Sequence, residues 1–341
     1  MLSGLNMTGL DRLYQQLGNE LGMILTLHHV RPDPEPDFAP NAHLSIKPEF
    51  LEAVIRLLRQ RGFDIVSMDE ARRRIQRPDR EKRFAAFTFD DGYTNTLEFA
   101  APILQKHDVP YAVYLATGLI EGTADLWWDA IADLVRQQDY LMLATDEGSV
   151  EVDCSTLPRK YASYQYLLEH LTRNVPELEQ RQRMRELCWL YNIDVDHIRT
   201  SQIMSWDQVR EIASDPLCTI GAHSINHHAL ARLDEKQAKL EMVEGGRILE
   251  ATLGRKPKHF AYPYGYPAAA ASREFQLAKS ARYSTAVTTR PGMIYPEHSE
   301  HLTALPRVSV NGLYQHLRYF APLTSGLPTR MGQKMRRINV A

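Results

Sequence analysis

The sequence predicts an α/β fold built on a largely parallel sheet and interrupted by one helical insertion. Three observations predict it. Two short apolar runs, RFAAFTF (83–89) and VPYAVYLAT (109–117), flank YTNTLEFAAPILQKH (93–107), whose character is helical; strand, helix, strand is the grammar of a parallel sheet. The grammar returns at CTIGAHS (218–224), a helix near 234–253 and HFAYPYG (259–265). Between 120 and 215 it stops, and the chain turns charged and helical in character, with three of the four tryptophans falling at 127, 128 and 189.

The elements follow in order. Residues 1–20 read as an amphipathic leader. GMILTLHHV (22–30) is a buried strand that opens into a loop through two histidines. The Pro- and Asp-rich RPDPEPDFAPN cannot hold regular structure. PEFLEAVIRLLRQR (48–61) carries apolar residues at helical spacing, with Pro48 in the first turn and Gly62 as the stop. RFAAFTF ends at the turn signal Asp90-Asp91-Gly92 and reads as a strand buried on both faces. RYSTAVTT (282–289) and HLTALPRVSV (301–310) supply late strands, and 328–341 reads as a loose basic tail.

Composition limits the function classes. The 341 residues, 44% of them hydrophobic, suffice for a sizeable core, and a net charge of −2 gives no global attraction to nucleic acid. No apolar stretch is long enough to span a bilayer, and no secretory leader is recognisable. Cys154, Cys188 and Cys218 are odd in number and lack CxxC spacing, so neither a disulfide framework nor a thiolate zinc site is expected. The location expected is cytoplasmic.

Chemistry concentrates at strand ends. Asp90 and Asp91 leave a buried strand at its carboxyl end, where α/β folds place their sites, and two adjacent carboxylates can point in different directions and do different work. His223-Ser224-Ile225-Asn226-His227 places two histidines four apart, which on a helical turn face one way. Two histidines and one carboxylate form an open zinc set that leaves a place for water. Phe260 to Gly265 ends a strand in a rigid turn, able to aim a backbone N–H at a developing oxyanion. His28 and His29 end the first strand. Trp127 and Trp128 either stack on sugar rings or pack the insertion on the core, and packing is the expectation.

In this order the motifs resemble the polysaccharide deacetylase family, that of the NodB homology domain and carbohydrate esterase family 4. Thr88-Phe89-Asp90-Asp91-Gly92 resembles its first motif, His223 to His227 its second and Phe260 to Gly265 its third. His28 resembles the catalytic histidine of a branch in which that residue comes early. The resemblance implies a distorted (β/α) barrel, a catalytic domain over 20–315 with the helical insertion 120–215 inside it, and hydrolysis of the N-acetyl group of an amino sugar in an oligo- or polysaccharide or its precursor. It implies a divalent metal, zinc foremost, on Asp91, His223 and His227. Asp90 is implied as general base, the Tyr264 N–H as oxyanion donor and His28 as general acid. Many members carry an arginine where Ala261 stands, and Arg307 is the residue expected to fill its role. Two other readings stand beside this one: an amidase or deacylase of the same fold on another substrate, and a carbohydrate-binding relative without catalysis.

Overall fold

The computed structural model describes residues 19–33, 35–79, 82–145, 148–332 and 336–340. The proposed leader lies outside the described residues up to residue 18. Twelve strands follow: β1 (Gly22–Leu27), β2 (His29–Val30), β3 (Ser45–Ile46), β4 (Asp64–Ile65), β5 (Phe84–Phe89), β6 (Tyr111–Leu115), β7 (Tyr140–Thr145), β8 (Gly148–Asp153), β9 (Cys218–Ala222), β10 (His259–Ala261), β11 (Thr285–Pro291) and β12 (Leu305–Ser309). Seven of them close a parallel ring in the order β1, β12, β11, β10, β9, β6, β5 and back to β1. A distorted (β/α) barrel is thus the architecture. The distortion has local causes: β10 has three residues, and the β11–β12 register shifts between Val287 and Pro291.

The period-2 alternation of strands sorts the barrel side chains. Ile24, Phe84, Ala86, Ala112, Tyr114, Ala261, Val287 and Leu305, one or two from each of six strands, form one buried cluster that fills the barrel. Met23, Leu25, Leu27, Phe87, Val113, Ile220 and Phe260 face the other way and pack under the helices. Gly221 is required where β9 meets the interior, because a Cβ there would lie 2.4 Å from the Tyr114 ring. The outer helices are capped as their sequences dictate. Pro48 starts Pro48–Gln60, and Asp234 caps Glu235–Leu253, which Gly254 ends in a left-handed turn.

Two expectations need correction and a third needs refinement. The insertion is not all helical, since β7 and β8 form an antiparallel hairpin in it. In β7 the burial alternates, with Leu141 and Leu143 inside and Tyr140 and Met142 outside, so a period of 2 was present beneath the charged flanks. The stretch 328–341 is not loose where it is described. It begins within the helix Leu327–Gly332, the Asn339 carbonyl accepts from Arg290 Nη1 at 3.0 Å, and Arg337 pairs with Glu297 at 3.1 Å. The segment 93–107 is helical as expected, from Thr94 to Lys106, but not regular: it widens into a π-turn at Thr96–Ala100 ahead of Ala101–Lys106, where Pro102 has no N–H for a regular ladder.

The insertion has its own core, in which Leu119, Trp127, Ile131, Leu134, Leu167 and Met184 are buried together. Phe38 and Tyr93 join that core from the barrel side, so the insertion sits on the carboxyl end of β5. The three cysteines are buried and free. Among the described residues no helix is long and apolar enough to cross a membrane.

Candidate active site

The barrel's alternation delivers the site. Ile24, Thr26 and His28 continue one interior row of β1, and Phe84, Ala86, Thr88 and Asp90 continue one row of β5. At the carboxyl ends these rows open into a cavity of about 360 Å³, within the range of small-molecule sites. His28, Asp90, Asp91, Trp128, His223 and Tyr264 all line it.

The two carboxylates part as their adjacency suggests. Asp91 takes a left-handed backbone, φ 71°, and turns to the histidines. His223 Nε2 lies 3.3 Å and His227 Nε2 3.2 Å from Asp91 Oδ1, and the donor atoms of the three residues all fall within 4.8 Å of one another. The histidines do not share a helical turn, contrary to expectation. They lie in the loop after β9, and left-handed residues at Ser224 (φ 66°) and His227 (φ 53°) fold the loop back until both rings meet Asp91. Four of the seven non-glycine residues with positive φ among the described residues belong to this site: Asp91, Ser224, His227 and Tyr264. Such strain persists only where surrounding contacts enforce it.

The donors fit a metal. The Nδ1 of His223 lies 2.7 Å from the Ala261 carbonyl, a contact that requires the proton on Nδ1 and leaves the Nε2 lone pair facing Asp91. Asp91 Oδ1 is buried and has no hydrogen-bond partner, although two imidazole nitrogens stand near it. Separations of 3.2 and 3.3 Å match the edge of about 3.3 Å of a tetrahedron with ligand distances of about 2.0–2.1 Å. Burial works against ionising Asp91, yet His227 and His223 outweigh it and hold the carboxyl well below the usual range.

Asp90 faces a different partner. Arg307, fully buried on β12, grips it as a fork, Nη1 to Oδ1 at 2.8 Å and Nη2 to Oδ2 at 2.6 Å. The guanidinium is fixed in turn: Nε donates to the Thr288 carbonyl at 2.8 Å and Nη1 to Thr88 Oγ1 at 3.0 Å. Ala261 meanwhile gives its carbonyl to His223. Burial opposes the charge on Asp90 and Arg307 overcomes it, so this carboxyl also titrates below its ordinary value. Arg307→Lys keeps a charge but loses the fork. It should lower turnover roughly tenfold and move the acid limb of the pH–rate profile upward, because desolvation of Asp90 then meets less opposition. A profile superimposable on wild type would show that the fork does not set the state of Asp90.

His28 and His29 point to opposite faces. His28 Nε2 lies 4.0 Å from Asp90 Oδ2, too far for a direct hydrogen bond and close enough for one bridging water. His29 is buried on the other side, its ring tilted against that of Tyr93 with centroids 3.6 Å apart, and its Nδ1 accepts from Asn95 Nδ2 at 2.9 Å. Tyr264 sits at φ 59°, its carbonyl accepts from the Thr289 hydroxyl, and its N–H meets no acceptor among the described residues. Trp127 and Trp128 are buried, at 1% and 7% exposure, and pack the insertion as expected. They also wall the cavity, Trp127 Nε1 donating to Tyr264 Oη at 2.7 Å and the Trp128 ring centred 5.0 Å from that of His227.

The family profile for polysaccharide deacetylases matches residues 77–189 and 172–286, more than half of the chain. The chain belongs to the polysaccharide deacetylase family. The Streptococcus pyogenes deacetylase PplD, solved in complex with acetate, superposes with a TM-score of 0.55 at 18% identity over 85% of this chain and 92% of its own. IcaB from Ammonifex degensii gives 0.56 at 17% identity over 90% and 97%. A de-N-acetylase from Aggregatibacter actinomycetemcomitans gives 0.54 at 13% over 88% and 99%. These likenesses establish the fold. No curated protein matches the chain.

Two contributors to this candidate site, Glu241 and Arg181, escape sequence reasoning, and the part played by Thr88 of the first motif was not read from it. Thr88 anchors Arg307 and donates its own hydroxyl to the Leu25 carbonyl at 2.6 Å. Glu241, on the helix Glu235–Leu253, accepts from the N–H groups of Ile225 and Asn226 at 2.9 and 2.8 Å. Arg181, in the insertion, donates to the His227 carbonyl at 2.7 Å. Glu241 and Arg181 lie on helices among many charged residues, and no spacing distinguishes them.

Proposed function

We propose that the protein is a divalent-metal-dependent hydrolase, with zinc as its metal, that removes the N-acetyl group from an amino sugar in an oligo- or polysaccharide or its precursor. The observation that carries the reading is one strand-end cavity holding both the Asp91–His223–His227 donor set and the facing pair Asp90 and His28.

Asp91, His223 and His227 would hold the metal, which when bound polarises the acetyl carbonyl and acidifies a water. Asp90, kept ionised and aimed by the Arg307 fork, takes the proton from the attacking water. The Tyr264 N–H, on a left-handed backbone and without an acceptor among the described residues, would be the donor to the oxygen that gains charge. His28 gives a proton to the departing sugar nitrogen. Its 4.0 Å gap to Asp90 lets one water carry the proton back and reset both groups. Trp128 walls the cavity beside the metal donors and bounds the space a pyranose would occupy. Buried free cysteines support a cytoplasmic setting.

The test is acetate release from an N-acetylglucosamine oligomer by zinc-loaded protein, by chelated protein and by chelated protein given zinc again. Release lost on chelation and regained with zinc supports the reading. Hydrolysis confined to non-sugar acyl amides, or sugar binding without release, overturns it in favour of an amidase or a binding relative.

A further inference from the structure

We propose that Arg181, in the insertion, is a positioning residue that holds His227 in the backbone conformation from which its ring addresses the metal. The inference rests on the assignment of Asp91, His223 and His227 as metal ligands.

The two histidines are oriented by different means. The His223 ring is fixed through Nδ1 by the Ala261 carbonyl at 2.7 Å. The His227 ring has no such anchor, since its Nδ1 is buried without a hydrogen-bond partner. Its direction therefore depends on its backbone and on the Trp128 and Tyr264 rings packed against it, at 5.0 and 4.7 Å between centroids. That backbone is left-handed at φ 53°, in a loop where Ser224 is left-handed as well, and side-chain-bearing residues rarely stay there unaided.

The loop is gripped from two sides. Glu241 takes the Ile225 and Asn226 N–H groups, and Ser224 Oγ accepts the His227 N–H at 3.1 Å. These contacts hold the approach to His227 and its nitrogen. Its carbonyl is held by the insertion, through Arg181 Nη2 at 2.7 Å. Arg181 is itself set in place. Its guanidinium lies 3.7 Å from the buried Glu177 carboxylate one turn earlier, and Glu177 also accepts the Ala229 N–H at 2.9 Å. The same guanidinium stands 5.9 Å from the Trp127 ring, which walls the cavity. The insertion thus clamps the second metal ligand as well as covering the barrel mouth.

The experiment measures zinc affinity by competition with a chromophoric chelator, and the visible spectrum of the cobalt-loaded protein. It compares wild type with Arg181→Met and Arg181→Lys, and records the melting of each metal-free protein. Arg181→Met should bind zinc 10–100-fold more weakly, the usual cost of losing a partner that orients a ligand, with a changed cobalt spectrum. Arg181→Lys keeps a cation beside Glu177 and so preserves the fold, but it should recover only part of the affinity because a single ammonium cannot reproduce the planar fork. Wild-type zinc affinity and cobalt spectrum in both variants would overturn the proposal. Full recovery by lysine, with a lower melting temperature for the methionine variant alone, would also overturn it by reducing Arg181 to a counter-charge for Glu177. Wild type that binds neither zinc nor cobalt would overturn the ligand assignment itself, a result distinguishable from the other two.

Discussion

Asp91→Asn is expected to leave the protein folded and without its metal, with acetate release at background. The carboxylate stands 3.2 and 3.3 Å from the two imidazoles, so its loss leaves two neutral donors, and two ligands hold zinc poorly. The amide carries no charge in the neutral side chain to offset that of the ion. Several kcal/mol of charge stabilisation disappear with the metal, about 10³-fold or more in rate. The melting temperature supplies an independent reading. Zinc at 100 times its dissociation constant stabilises a folded protein by about 2.7 kcal/mol, so wild type should melt higher with zinc and Asp91→Asn should not respond. His223→Ala should behave alike. Stoichiometric zinc in either variant, measured by atomic absorption, would remove these residues from the metal site.

Much of this site was legible in the sequence because strand periodicity is rigid. A run such as Phe84–Phe89 ending in Asp90-Asp91-Gly92 fixes which carboxylate continues the interior row, and the barrel then leaves few directions for the next residue. Arg307 was nominated as the stand-in for the arginine missing at Ala261, and the structure supplies the reason it reaches Asp90: it shares a parity with Leu305, and the ring closure β12–β1–β5 carries it there. The HxxxH spacing singled out the pair that meets Asp91, through the wrong geometry. Four residues match one helical turn, yet the rings meet through left-handed backbone at Ser224 and His227, which composition does not announce. The hairpin β7–β8 was hidden because its outward face carries Tyr140 and Met142, and its partner strand GSVEVD is mostly exposed. Arg181 was out of reach for another reason. Its contact with His227 spans 46 positions, and nothing local marks an arginine that reaches a carbonyl on another element.

His28→Ala should cut turnover by about 10²–10⁴-fold with zinc content intact, the usual range for one acid–base group. His29→Ala should act on stability instead. The chemical part of the argument is that an amine leaves poorly unless protonated, and imidazole is the side chain whose proton is most readily exchanged near neutral pH. The structural part is parity. Ile24, Thr26 and His28 follow the row that fills the barrel, so His28 emerges in the cavity, 4.0 Å from Asp90. His29 follows the row of Met23, Leu25 and Leu27 that packs under the helices. It packs against Tyr93 and accepts from Asn95, while burial first, and then Arg31 and His28, hold its imidazole well below the ordinary value and thus neutral at pH 7. A residue so placed does not exchange protons with a substrate. Its removal opens a cavity against Tyr93 and leaves Asn95 short of an acceptor, at a cost of about 1–3 kcal/mol in denaturant unfolding. The pair of variants separates the roles: the first should lose kcat and keep its unfolding midpoint, the second the reverse. If His29→Ala loses the turnover while His28→Ala keeps it, the proton donor is the wrong one of the two neighbours, and the parity argument for the strand end fails with it.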